Sequence, residues 1–203
     1  MARLLLIRHA PTPETGTRLT GRLPGVSLDE RGREIASHTA AHLSDLKLAA
    51  VYASPIERTW ETAEIVAAPH QLEPLAEEDL LEVDYGRWSG RTLKSLSRLK
   101  SWWTVQVTPS RVTFPEGESL AAAQRRAVAA CERLAARHGN RTIALVSHSD
   151  VIKAVVSHYL GQPLDLFQRI VVSPASVTVV DAPRRGIPTV VAVNTTGAKG
   201  SWR

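Results

Sequence analysis

The alternation of short apolar runs with longer amphipathic stretches most strongly limits how this chain can fold. Each apolar run of about five residues predicts a buried strand, and several of the stretches between them place apolar residues at helical spacing. This order of elements predicts an α/β sheet domain. The predicted strands are Arg3–Ile7, Ala49–Ala53, a short one near Leu72–Leu75, Thr142–Ser147, and a closing pair at Ser176–Val180 and Thr189–Val193.

Capping signals mark where helices begin between these strands. Ser27, with Glu30 three residues later, forms a capping box that predicts a helix running to about Leu46. Ser54, followed by a proline, predicts the start of a second helix that ends before Pro69. The two remaining long helices are predicted at Glu118–His138, closed by Gly139, and at Ser149–Leu160, closed by Gly161.

Length and composition favour one domain over residues 1–203. A chain of 203 residues fits the usual size of one domain, and no repeat or linker divides it. The single cysteine, Cys131, lies in an alanine-rich helical pattern and is expected to be buried. The first apolar run is too short for a signal peptide, and no later run approaches transmembrane length. We therefore expect a cytoplasmic protein with no membrane partner.

The net charge of +5 is compatible with a nucleic-acid surface or with a site for small anions. The basic residues are scattered among acids, and they form neither a block of like charges nor a stripe at helical spacing. We therefore expect no nucleic-acid partner and favour a small anionic ligand.

Charged residues stand at four junctions that follow predicted strands. Arg8 and His9 follow the first strand, and Arg58 lies in the first turn after the second. Glu82 lies in the loop after the short third strand, and His148 follows the strand Thr142–Ser147. Because ligands of open α/β sheets bind beyond the carboxyl ends of the strands, these residues are expected to converge there.

This set of residue types is suited to phosphoryl transfer. A neutral imidazole can attack phosphorus, and arginines match the equatorial oxygens of the transferred group. A second histidine can stabilise the transition state, and a carboxylic acid can protonate the leaving oxygen. From the residues alone, Arg58 as a surface side chain and His148 as a buried, satisfied histidine remain open. Glu82 also competes with neighbouring acids of its loop.

Four segments, in order along the chain, resemble the motifs of the histidine phosphatase superfamily, which includes the cofactor-dependent phosphoglycerate mutases. The first, Arg8-His9 with Thr12 and Thr15 after it, resembles the Arg-His-Gly signature. Residues 53–63 resemble Ser-Ser-Pro-x-x-Arg-x-x-x-Thr-Ala, residues 81–90 resemble Glu-x-x-aromatic-Gly-x-Trp-x-Gly, and residues 146–152 resemble Val-Ser-His-Gly-Gly-Val-Ile. The resemblance implies a single three-layer domain with a mostly parallel central sheet flanked by helices.

The resemblance also implies roles for individual residues. His9 would be the nucleophile that carries a phosphoryl group, and Glu82 the proton donor. Arg8, Arg58 and His148 would take part in catalysis and line the phosphate pocket. Thr15 falls where the family often has a residue that touches the phosphate, and it is a further substrate-binding candidate. The resemblance implies no metal ion and no cofactor.

The resemblance leaves two activities open, phosphatase and mutase. Arg18-Leu19-Thr20-Gly21 resembles the mutase segment Arg-Phe-Thr-Gly, which makes Thr20 and Gly21 candidates for substrate binding. Leu93, however, stands where mutases carry a lysine, and the chain lacks their twin arginines after a tryptophan. We therefore expect a phosphatase acting on a small phosphomonoester. The alternatives are a cofactor-dependent phosphoglycerate mutase and, in another class, a catalytically silent module that binds a phosphorylated ligand.

Several features depart from the family pattern or leave their role open. Ala10 replaces the glycine after His9, and Asp150, which replaces a glycine after His148, is expected to point into the start of its helix. Three tryptophans are expected in the core or in a lid, namely Trp88, Trp102 and Trp103. The two closing strands could also pair edge to edge in a homodimer.

Overall fold

The computed structural model describes residues 1–183 and 185–196, and in these ranges six strands form one sheet. The strands are β1 (Ala2–Arg8), β2 (Leu48–Ala53), β3 (Pro74–Ala76), β4 (Thr142–Ser147), β5 (Val177–Ala182) and β6 (Thr189–Thr195). Their order across the sheet is β3-β2-β4-β1-β5-β6. The β1–β4, β2–β4 and β2–β3 pairs are parallel, whereas β5 runs antiparallel to β1 and to β6. The predicted α/β fold with a mostly parallel sheet is confirmed.

Helices cover both faces of this sheet. The α-helices of the described residues are α1 (Glu30–Leu43), α2 (Glu57–Ala67), α3 (Leu93–Leu96), α4 (Lys100–Val107), α5 (Leu120–His138) and α6 (Ser149–Tyr159). On one face Leu4 and Leu6 of β1 belong to a core with α5 and α6, and on the other Leu5 and Ile7 belong to a core with α1 and α2. A strand buried on both faces must be apolar at consecutive positions, which explains the unbroken run in β1. Cys131 is buried in α5, as expected.

Three of the predicted helix starts are wrong. The α1 helix is capped by Asp29, whose carboxylate accepts a hydrogen bond from Gly32 N–H at 2.6 Å, instead of by the Ser27 capping box, and it ends at Leu43. The α2 helix begins at Glu57 with no side-chain cap. The α5 helix begins at Leu120 and is capped by the Ser119 hydroxyl, which accepts a hydrogen bond from Ala122 N–H. In each case either another polar side chain caps the helix, or the predicted capping residue forms its hydrogen bond elsewhere in the tertiary structure.

The tryptophans differ in their surroundings. Trp88 is buried and its ring packs against Phe114 and, 6.2 Å away, Trp102. Trp88 therefore belongs to the core, and the partly buried Trp102 packs against it. Trp103 does not belong to the core, because it is 70% exposed on α4. None of the helices in the part of the chain that the structure describes is sufficiently long and apolar to span a bilayer.

The loop after β3 is held against the segment before α5 by close backbone contacts. Asp84 O accepts a hydrogen bond from Glu118 N–H at 3.0 Å, and Arg87 N–H donates to Pro115 O at 2.9 Å. Gly86, between them, has φ +49°, and a Cβ there would lie 2.0 Å from Pro115 O. A glycine is thus required twice, by the backbone conformation and by the close approach.

Gly86→Ala is expected to lower the free energy of unfolding by about 3 kcal/mol or more, because the methyl group meets backbone atoms that cannot rotate away. Gly139→Ala is the matched control, since Gly139 also has a positive φ (+63°) but has open space at its Cβ. Its loss should be about 1 kcal/mol. Urea denaturation of the two variants measures the difference, and equal losses would contradict the packing argument.

Candidate active site

The predicted site residues meet at the carboxyl ends of the parallel strands. Arg8 is the last residue of β1 and His9 follows it, while His148 directly follows β4. Arg58 lies in the first turn of α2, and Glu82 follows a short 3-10 helix after β3. A cleft of about 210 Å³ opens at this edge. Its lining residues are Arg8, His9, Thr12, Glu14, Thr15, Gly16, Arg18, Leu19, Thr20, Gly21, Glu82, Tyr85, Leu93, Ser149 and Asp150.

The His9 imidazole is held in one orientation and one tautomer. Its Nδ1 lies 2.7 Å from Ala10 O, a carbonyl that can only accept, so Nδ1 carries the proton. Nε2 is left with its lone pair and accepts a long hydrogen bond, 3.4 Å, from Arg58 Nε. Burial, followed by the charges of Arg58 and Arg8, lowers the pKa of His9 well below its ordinary value. The ring is therefore neutral at physiological pH, the form in which it is nucleophilic.

Ala10 does not impair this arrangement. Among the described residues Ala10 is not one of those with a positive φ, so the conformational freedom of glycine is not needed there. Its N–H donates to Thr62 Oγ1 at 3.0 Å, which ties the loop after β1 to α2.

Two arginines bring unsatisfied donors to the site. Arg58 is 1% exposed, and its Nη2 donates to Gly21 O at 2.7 Å and to His148 Nδ1 at 3.2 Å. Arg8 Nη1 donates to Val172 O at 2.7 Å. Arg58 Nη1 and Arg8 Nε are buried without a hydrogen-bond partner among the described residues. Buried cationic donors are costly when unmet, so this end of the cleft is suited to an anion with several acceptor oxygens.

His148 is fully buried behind His9, with ring centroids 5.3 Å apart. Since its Nδ1 accepts from Arg58, its Nε2 carries the proton and donates to Ser54 Oγ at 2.9 Å. Ser54 therefore orients this histidine instead of capping α2. Burial, and then the Arg58 charge, lowers the pKa of His148 well below its ordinary value, so this ring is also neutral.

The pKa of Glu82 shifts in the opposite direction in the same buried surroundings. Its Oε1 accepts a hydrogen bond from Val83 N–H at 2.9 Å, and its Oε2 lies 3.8 Å from His148 Nδ1. Burial, and then the charge of the nearby Asp150 carboxylate, raises the pKa of Glu82 to about 7 against the opposing charges of Arg58 and Arg8. A large part of the Glu82 side chains is therefore protonated at neutral pH and able to donate a proton.

Three charged residues, none of which stood out in the sequence, hold the loop that carries Glu82. Arg22 Nε and Arg126 Nη2 donate to Glu82 O, at 2.7 Å and 3.2 Å. The Glu118 carboxylate lies between the two arginines, 2.8 Å from Arg22 and 2.6 Å from Arg126, and also accepts from Asp84 N–H. A salt-bridged cluster of this kind leaves no local sequence signal, because its two ion pairs join residues 96 and 8 positions apart.

The remaining predicted residues lie in the cleft or beside it. Thr15 and Thr20 line the cleft, and Thr15 Oγ1 accepts a hydrogen bond from Thr12 N–H at 2.9 Å. Gly21 contributes its carbonyl to Arg58. Neither Trp102 nor Trp103 is among the residues that line the cleft.

Asp150 does not point into the start of α6. Its Oδ2 accepts a hydrogen bond from Tyr85 O–H at 2.9 Å, and its side chain forms part of the cleft wall. Tyr85 and Asp150 were both inside recognised motifs, but the sequence does not reveal that they meet. Within the described ranges, no group of three or more His, Cys, Asp and Glu side chains is arranged to hold a metal ion.

The family model described as "Histidine phosphatase superfamily (branch 1)" matches residues 4–196. The chain belongs to the histidine phosphatase superfamily. The family resemblance of the four motifs is thereby confirmed.

Among the relatives of this histidine phosphatase, "Phosphoserine phosphatase 1" of Hydrogenobacter thermophilus is 33% identical over 91% of this chain and 89% of its own length. A "2,3-bisphosphoglycerate-dependent phosphoglycerate mutase" of Thermoplasma acidophilum is 28% identical over 95% of this chain and 93% of its own. The solved structure of "Bacillus stearothermophilus YhfR" superposes with a TM-score of 0.87 at 28% identity, covering 94% of this chain and 96% of the other.

The raised pKa of Glu82 has a consequence for the stability of this histidine phosphatase. The folded state binds the Glu82 proton more tightly than the unfolded state, so the ionised carboxylate destabilises the fold as pH rises from about 4.5 to about 7. Glu82→Gln removes this cost and keeps an acceptor for Val83 N–H. We expect the free energy of unfolding of the variant to exceed that of the wild type by about 1–3 kcal/mol at pH 8 and to match it near pH 4.

Urea denaturation at several pH values measures this difference. Glu78→Gln, at an exposed acid in the same segment, is the matched control and should give no such gain. A Glu82→Gln variant that is equally or less stable than the wild type at pH 8 would contradict the assignment of a buried, largely protonated carboxyl.

Proposed function

We propose that this protein is a phosphatase that hydrolyses small phosphomonoesters through a phosphorylated His9, without a metal ion, and that residues 1–203 form its single domain. The observation that carries the proposal is the His9 ring itself. It is neutral, its unprotonated Nε2 accepts only a long hydrogen bond from Arg58, and Arg8 and Arg58 beside it have unmet donors. Membership in the histidine phosphatase superfamily and a relative named as a phosphatase support the same activity.

In the first step, His9 Nε2 attacks the phosphorus atom and the bond from phosphorus to the alcohol oxygen breaks. Arg8 and Arg58 neutralise charge on the equatorial oxygens through their unmet donors. The neutral His148 accepts a hydrogen bond from Arg58 Nη2 and holds that guanidinium in place. The protonated Glu82 carboxyl gives its proton to the leaving alkoxide. The products of this step are the free alcohol and phosphohistidine.

In the second step, a water molecule attacks the phosphohistidine and the bond from phosphorus to Nε2 breaks. Glu82, now a carboxylate, takes a proton from that water, so one residue serves as acid and then as base. Inorganic phosphate leaves, and His9 and Glu82 return to their starting forms. Thr15 and Thr20 are proposed as further contacts to the substrate, because both line the cleft next to His9.

The mutase alternative is supported by the mutase relative but less well by the cleft. A mutase must hold an acid bearing two phosphates, which requires cations beyond the phosphate end. Leu93 lines the cleft where a lysine would be required, and Lys94 is not among the lining residues. The alternative of a silent binding module is weakened because His9, Glu82 and Arg8 line one cleft, while Arg58 and His148 contact His9 without being among the lining residues.

Two further expectations stay predictions. The homodimer would use β6, the sheet-edge strand on which Val191 and Val193 are partly exposed, and size-exclusion chromatography with light scattering tests it. A cytoplasmic location is expected, and fractionation of the source cells tests it.

The proposal is tested by hydrolysis of p-nitrophenyl phosphate in excess chelator. Wild-type protein is expected to release p-nitrophenol, and His9→Ala is expected to lose at least about a thousandfold in kcat/KM because no other group can take its place as nucleophile. His38→Ala, at an exposed histidine on α1, is the matched control and should keep wild-type activity.

Equal hydrolysis by wild type and His9→Ala would overturn the mechanism. No hydrolysis by the wild type would favour the mutase, which is then assayed with phosphoglycerates.

A further inference from the structure

The outer part of the cleft contains a carboxylate that the proposed mechanism does not use. Asp150 is two residues beyond His148, and its side chain is 20% exposed in the cleft wall. It lies near enough to Glu82 and Tyr85 for its charge to raise the pKa of both groups. A carboxylate in this position repels the phosphate group of a substrate, so binding of that phosphate does not explain its presence.

The contacts of Asp150 leave part of its acceptor capacity unused. Oδ2 accepts the Tyr85 hydroxyl at 2.9 Å. Oδ1 lies 3.5 Å from Lys153 Nζ, at the outer limit of a hydrogen bond, and that ammonium also donates to Gln168 Oε1 at 3.0 Å. Lys153 is not among the residues that line the cleft, whereas Asp150 is. A ligand in the cleft therefore meets the carboxylate and not its cationic neighbour.

The described cleft lining contains two cations, and neither is positioned to receive the alcohol part of a substrate. Arg8 lies at the phosphate end beside His9. Arg18 lies further out, but its Nε forms an ion pair with Glu14 at 3.1 Å and its Nη1 donates to Gly90 O at 2.8 Å. Leu19 and Leu93 contribute apolar surface to the cleft wall. Beyond the phosphate, the lining thus offers a carboxylate and no unengaged cation.

We propose that Asp150 is a specificity-determining residue that selects the alcohol part of the substrate. It favours phosphomonoesters whose alcohol carries an ammonium group and discriminates against those whose alcohol carries a carboxylate. The inference rests on the proposed phosphatase function and names the substrate class of that site. Its physical basis is the attraction or repulsion of a single charge in a partly desolvated cleft.

The test compares two two-carbon substrates of opposite charge, O-phosphoethanolamine and phosphoglycolate. We expect wild-type kcat/KM to be higher for phosphoethanolamine, and Asp150→Asn, which keeps the shape and removes the charge, to reduce the ratio of the two values about tenfold. Because both substrates are assayed at one pH, a change in the protonation of Glu82 affects both alike. Added salt should reduce the wild-type ratio in the same direction.

Glu116→Gln is the matched control, since Glu116 is an exposed acid outside the cleft and is paired with Arg87. The ratio of its kcat/KM values for the two substrates should stay within twofold of the wild-type ratio. A wild-type preference for phosphoglycolate, an unchanged ratio in Asp150→Asn, or hydrolysis of p-nitrophenyl phosphate with neither two-carbon ester accepted would overturn the inference.

Binding to His9→Ala protein, measured by calorimetry, separates this inference from the proposed function. Tighter binding of phosphoethanolamine than of phosphoglycolate, lost in the His9→Ala, Asp150→Asn double variant, would support the selection by Asp150 even if the wild type hydrolysed nothing. Equal binding of the two ligands would overturn it whatever the catalytic activity.

Discussion

The burial of the Arg58 guanidinium is the interaction on which the rest of the site depends. A buried cation is costly unless its donors are met. Arg58 Nε donates to His9, and its Nη2 donates to His148 and to the Gly21 carbonyl. These partners come from three separate parts of the chain, so one side chain fixes the relative positions of the first loop, α2 and the end of β4. Its charge also helps to keep both histidines neutral.

The same desolvation has opposite effects on the acid and the bases, and this difference makes the chemistry feasible at neutral pH. It lowers the pKa of His9 and His148 and raises that of Glu82 to about 7. A neutral nucleophile and a protonated donor can therefore coexist in one cleft. The arrangement depends on the parallel strands β1, β2 and β4, whose carboxyl ends meet at one edge of the sheet.

The parts of this structure that the sequence predicted well are those whose cause is local or periodic. The apolar runs of β1 and β4 are continuous because both faces are covered, and the junction residues Arg8, His9 and His148 follow strands that could be located in advance. What could not be predicted depends on partners distant in sequence. The Ser54 hydroxyl contacts His148 rather than a helix end, and Glu118 lies between two arginines instead of beginning α5. Asp150 likewise accepts a hydrogen bond from Tyr85, a residue 65 positions away in the sequence.

In the proposed mechanism His9 Nε2 carries the phosphoryl group, and this phosphohistidine can be trapped. Wild-type protein is mixed with a ³²P-labelled phosphomonoester, quenched in alkali within milliseconds, digested and analysed by mass spectrometry. We expect label on the peptide that contains His9, stable in alkali and lost in acid as a phosphorus–nitrogen bond requires, and no label in His9→Ala. Turnover by wild-type protein with label on another residue, or with no labelled protein at all under conditions in which formation of the intermediate outpaces its hydrolysis, would contradict the proposed mechanism.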